Sequence, residues 1–144
     1  MAAALKAGRV DAAMMSEPNI TEGSTDVELL GDAFATIAPQ WIASSFVASK
    51  AWVTANPDAA RRFVAAMREA ARSANAHGHD LSVMLAPLAG VPVEMFDKMQ
   101  RAVYTDQLTR ELLQPGIDAA YRYGALKAPF DTAEIVSAAA PYLR

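Results

Sequence analysis

Cysteine is absent from the 144-residue sequence and histidine occurs only twice. The first absence excludes disulfides, thiolate metal sites and a cysteine nucleophile. The second leaves His77 and His79 as the sole imidazoles, in the run His77-Gly78-His79-Asp80 at a predicted helix end. Two histidines so close need further ligands from elsewhere to hold a metal. A solvated helix terminus is the better reading, and no metal is expected. No G-x-S-x-G elbow, glycine-rich phosphate loop or H-E-x-x-H motif occurs. Ser44-Ser45 has no histidine near it in sequence. No catalytic residue and no cofactor are therefore assigned. Long hydrophobic runs are also missing: none approaches the roughly 18 residues that a membrane span needs. Lys6 and Arg9 are not followed by an uninterrupted apolar stretch, so a signal peptide is not expected. Basic charge is scarce, with 13 Lys and Arg against 16 Asp and Glu. That excludes the electrostatic footprint of a nucleic-acid binder. Arg61, Arg62, Arg68 and Arg72 cluster, but Asp58 and Glu69 are interleaved, which reads as a solvated helix face.

Apolar residues are plentiful, at 53%. That share and the length favour one domain with a sizeable core. Ala2 to Ala7 are strong helix formers, and Gly8 suits a left-handed helix end. Val10 to Met15 and Val27 to Leu30 read as short buried strands, with a turn or helical piece over residues 19–24 between them. Pro18 keeps Glu17 out of the helical region. Residues 33–49 are apolar and interrupted at Pro39, which predicts a strand from about Trp41 to Ala48. Ser49 should cap a short helix through Val53. Asn56-Pro57-Asp58 then starts a helix reaching about Asn75 and ended by Gly78, with Ala60, Phe63, Val64, Met67, Ala71 and Ala74 on one face. Shorter helices follow. Leu81 to Leu88 is closed by Gly90. Pro92 opens the next, packing Met95, Phe96, Met99 and Val103. Pro115 breaks or opens a helix that Gly124 ends. Asp131 and Glu134 form a capping box before a helix over residues 135–139.

Ser16-Glu17-Pro18-Asn19 lies at the C-terminal end of a predicted parallel strand, where open α/β sheets bind ligands. Ser16, Glu17 and Asn19 would offer polar groups there. From spacing alone, a carboxylate that caps the next turn or faces water is the commoner outcome. Trp41, beside the break at Pro39, is either a ligand platform or core. Trp52, inside the short helix, reads as core.

Three stretches in order carry a resemblance: ALKAGRVDAAMMSEP, SFVASKAWVTANPDAARRFVAAMREA and LLQPGIDAAYRYGALKAPFDTAEIV. Together they are similar to the second half of periplasmic substrate-binding proteins of nitrate, sulfonate, taurine and thiamine-precursor ABC importers. Fungal thiamine-pyrimidine synthases share that fold. The resemblance implies an α/β fold: the C-terminal half of a type 2 periplasmic-binding-protein fold, a short parallel-sheet portion followed by a helical region. It implies that residues 1–33 end lobe two, that 34–49 are the crossover strand, and that 50–144 form the helical C-terminal region of lobe one. It implies a small-molecule ligand, an ABC permease as partner and a periplasmic location for the full-length protein. Ser16, Glu17, Pro18, Asn19 and Trp41 would line the cleft. The helix starting at Asn19 could attract an anionic group, whereas Glu17 favours a cationic, amine-bearing or heteroaromatic ligand. The synthases' cysteine-rich motif has no counterpart in this chain. Alternatives of a synthase-like enzyme or a non-binding domain remain open. The apolar faces Phe63/Met67 or Met95/Phe96/Met99 predict self-association.

Overall fold

A computed structural model describes residues 1–140 in full and the backbone of Tyr142 and Leu143. About half of the chain is helical, at 50%. The elements are α1 (Ala2–Lys6), α2 (Asn19–Gly23), α3 (Lys50–Ala55), α4 (Pro57–Ala76), α5 (Gly78–Ala89), α6 (Val93–Phe96), β1 (Leu108–Thr109), α7 (Arg110–Arg122), a 3-10 turn (Thr132–Glu134) and β2 (Tyr142–Leu143). β1 and β2 pair in parallel, Leu108 with Tyr142 and Thr109 with Leu143. The chain forms two compact units. Unit 1 is Met1–Gly31 with Ser73–Tyr104, and unit 2 is Asp32–Arg72 with Thr105–Arg144. The division thus runs through α4, and the region 50–144 is shared between the units.

Local signals place most helices. Gly8 closes α1 with φ +62°. The Ser49 side chain accepts from Trp52 N at 3.2 Å and so caps α3. Asn56 O receives the Ala60 N–H at 3.0 Å, which sets Pro57 at the first position of α4. Proline fits there because that N–H has no helical partner in any case. On the predicted face of α4, Ala60 and Ala71 are buried and Val64, Met67 and Ala74 are half-buried, whereas Phe63 is exposed. Gly90, at φ +72°, closes α5, with Val91 N reaching Ala86 O at 3.1 Å. That is the left-handed closure for which glycine has no steric penalty.

Other expectations are corrected. Residues 10–15, 27–30 and 41–48 join no ladder among the described residues. A parallel strand is held by neighbours on its edges, and the ladder present here is β1–β2 alone among the described residues. α5 begins at Gly78, three residues before the predicted start, and Gly78 O accepts from the Arg101 guanidinium. Pro92 is the cap residue of α6 rather than its first member. Met99 is buried and Val103 is exposed. Pro115 lies inside α7. It removes the N–H that would meet Glu111 O, an interior bond of the helix. The next carbonyl, Leu112 O, is met from outside by Ile42 N at 2.8 Å. The Asp131–Glu134 capping box forms, but over a 3-10 turn, and residues 135–139 carry no helix.

The core is small. Among the described residues the buried hydrophobic side chains are Ala60, Ala71, Ala86 and Met99, three of them alanines. The accessible surface is 10552 Å². Two separate globules of these units' sizes would expose about 8,600 Å² in total by the usual mass scaling. Large apolar side chains such as Leu29, Leu30, Phe46, Val47 and Leu88 are exposed.

Candidate functional site

The five residues marked by the sequence fall in different units: Ser16, Glu17, Pro18 and Asn19 in unit 1, Trp41 in unit 2. In unit 1 the chain leaves α1, runs through residues 12–16 without a turn, and turns at Glu17-Pro18 into α2. The Glu17–Pro18 peptide is cis. Pro18 occupies the cap position of α2 but has no side-chain acceptor to offer the exposed N–H groups. Glu17 reaches over it. Its Oε2 accepts from Thr21 N at 3.0 Å and its Oε1 from Thr21 Oγ1 at 2.9 Å. The same Oε1 accepts from Gln100 N at 3.3 Å. Glu17 therefore caps α2 and ties it to the segment after α6. A carboxylate is favoured at a helix N-terminus, and here the chain's own carboxylate occupies the place considered for an anionic ligand group. Ser16 O accepts from Asn19 N at 3.0 Å. The side chains of Ser16 and Asn19 face solvent, while Glu17 and Pro18 are half-buried.

In unit 2, Trp41 is half-buried and packed. Its Nε1 donates to Phe34 O at 3.0 Å, and its ring lies 5.8 Å from that of Phe34, tilted by 52°. A Cβ built on Gly116 would lie 3.1 Å from the Trp41 ring. Glycine in the interior of α7 thus admits the indole, at the cost in helix propensity that glycine carries. Trp52 is half-exposed rather than core.

The arginines do more than solvate a helix. Arg61 pairs with Asp58 one turn away. Arg68 Nε donates to Asp106 O at 2.9 Å, and Arg72 Nη1 meets Asp106 Oδ2 at 3.0 Å. These two strap α4 to the segment before β1. An open groove of about 380 Å³ lies beside them in unit 2, lined by Arg61, Val64, Ala65, Arg68 and residues 138–140. The sequence signal for it was Arg61 and Arg68 seven residues apart on one helix face. Its two guanidinium groups are already engaged by Asp58 and Asp106 O.

His77 and His79 are separated in role. His77 Nδ1 contacts Ser73 O at 3.0 Å, and His79 Nδ1 lies 2.9 Å from Asp97 Oδ2. The Ser82 hydroxyl, and after it His79, hold the Asp97 carboxyl below its ordinary value. Ser82 Oγ donates to Gly78 O at 3.0 Å. Among the described residues no group of three or more histidine or carboxylate side chains is placed to hold a metal ion. No helix among them is long and apolar enough to cross a membrane.

In unit 2, Gln114 on α7 accepts from Thr132 N at 3.1 Å and donates to Phe130 O at 3.0 Å and Asp118 Oδ1 at 2.9 Å. Arg110 pairs with Asp131. These contacts close the 130–134 turn onto α7, with Thr132 fully buried. Compared with known proteins, the chain matches no family model, no curated protein and no solved structure.

Proposed function

We propose that the chain is the C-terminal half of a periplasmic solute-binding component of an ABC importer, contributing one wall of an interlobe cleft for a small organic molecule. The observation that carries the reading is in unit 1. Two apolar segments, residues 10–15 and 27–30, follow α1 and α2 in the helix–strand–helix–strand order that the family resemblance implies. Among the described residues neither makes a backbone–backbone hydrogen bond across to a neighbouring strand, and Met14, Leu29 and Leu30 are exposed. Such segments are what a parallel sheet looks like without its remaining strands. In this reading a companion lobe supplies the other half of the cleft. Residues 34–49 cross between lobes, and an ABC permease receives the loaded protein in the periplasm.

Ser16 and Asn19 then present side chains at the cleft, beside the half-buried Glu17. The Glu17 carboxylate has both oxygens engaged, yet a carboxylate offers about four acceptor sites, and three are used here. The remaining capacity and the negative charge favour an amine-bearing or heteroaromatic ligand over nitrate or a sulfonate. A thermal-shift screen with aminopyrimidine thiamine precursors, simple amines, sulfonates and nitrate tests this. Ligand binding to the native state raises the melting temperature in proportion to the logarithm of ligand concentration. The expected result is a concentration-dependent rise for the aminopyrimidines or amines, reduced in Asn19→Ala. No rise for any of the four classes overturns the reading.

A further inference from the structure

We draw no further inference here: the strongest candidate, the open groove of about 380 Å³ in unit 2 between α4 and residues 138–140, carries nothing, because its two guanidinium groups, Arg61 and Arg68, are already engaged by Asp58 and Asp106 O and nothing in the structure shows what would fill it.

Discussion

Replacing Glu17 with alanine should destabilise unit 1 by about 2 kcal/mol. The carboxylate accepts from Thr21 N at 3.0 Å, Thr21 Oγ1 at 2.9 Å and Gln100 N at 3.3 Å. Loss of a helix-capping acceptor costs ~1 kcal/mol. A charge-assisted hydrogen bond to the backbone is worth about 1.5–3 kcal/mol, and the long contact to Gln100 in a half-exposed setting belongs at or below the bottom of that range. Pro18 offers no replacement, because its side chain has no acceptor. Glu17→Gln keeps one oxygen but turns an amide donor toward donors, and should cost about half as much, or roughly 1 kcal/mol. Urea unfolding followed by far-ultraviolet circular dichroism reads both. With a slope of about 1–3 kcal/mol per molar urea, the alanine variant's midpoint should fall by ~1 M and the glutamine variant's by less. An alanine variant within about 0.5 kcal/mol of wild type, the ordinary scatter of an uninvolved surface position, would refute the capping argument.

Gln114→Ala should destabilise unit 2 by roughly 2–3 kcal/mol, because it removes the Gln114 bonds to Thr132 N, Phe130 O and Asp118; chemical denaturation of the variant measures this. Gly116→Ala gains up to ~1 kcal/mol in helix propensity, but its Cβ would stand 3.1 Å from the Trp41 ring. The expected result is a net loss in stability together with a red-shifted indole emission; a stabilised variant with unchanged emission would refute the packing. Asp97 has a folded-state pKa below its ordinary 3.8, from the Ser82 hydroxyl and then His79. Its contribution is present above pH 3.8 and is lost as pH falls through the lowered value, so Asp97→Asn should flatten the acid limb of the stability curve in that window. Lys6 is raised above 10.5 by its hydrogen bond and charge contact with Asp26. The contribution of the pair is present below pH 10.5 and fades as pH rises beyond the raised value, and Asp26→Asn should remove that alkaline slope.

Helices whose signals are local were legible in the sequence. Ser49, Asn56-Pro57 and Gly90 each act within a few residues, and each stands where the spacing predicts. The errors share a cause, which is contact from a distant segment. α7 continues through Pro115, and Ile42 N meets Leu112 O from outside. α5 starts early, at Gly78, whose carbonyl the Arg101 side chain reaches. The apolar runs at 10–15, 27–30 and 41–48 carry the composition of strands, but composition cannot supply the neighbour that makes a ladder. At the candidate site, Ser16 and Asn19 are exposed as a ligand contact requires, while Glu17 took the capping role that its spacing from Thr21 allowed. The cap could be read from the sequence once Pro18 was recognised as unable to provide one. Gln100, eighty-three residues away, could not.

Trp41 and Trp52 both belong to unit 2, and unit 1 contains no tryptophan. The indole seated over Gly116 is therefore an optical reporter for one half of the molecule, while the other half is silent at the same wavelength. Fluorescence follows unit 2, and circular dichroism follows the helices of both. Where the two traces superimpose, the units melt as one cooperative body; where they part, each has a stability of its own. The glycine that makes room for one ring thus lets a two-probe titration count the folding units of this chain without a label.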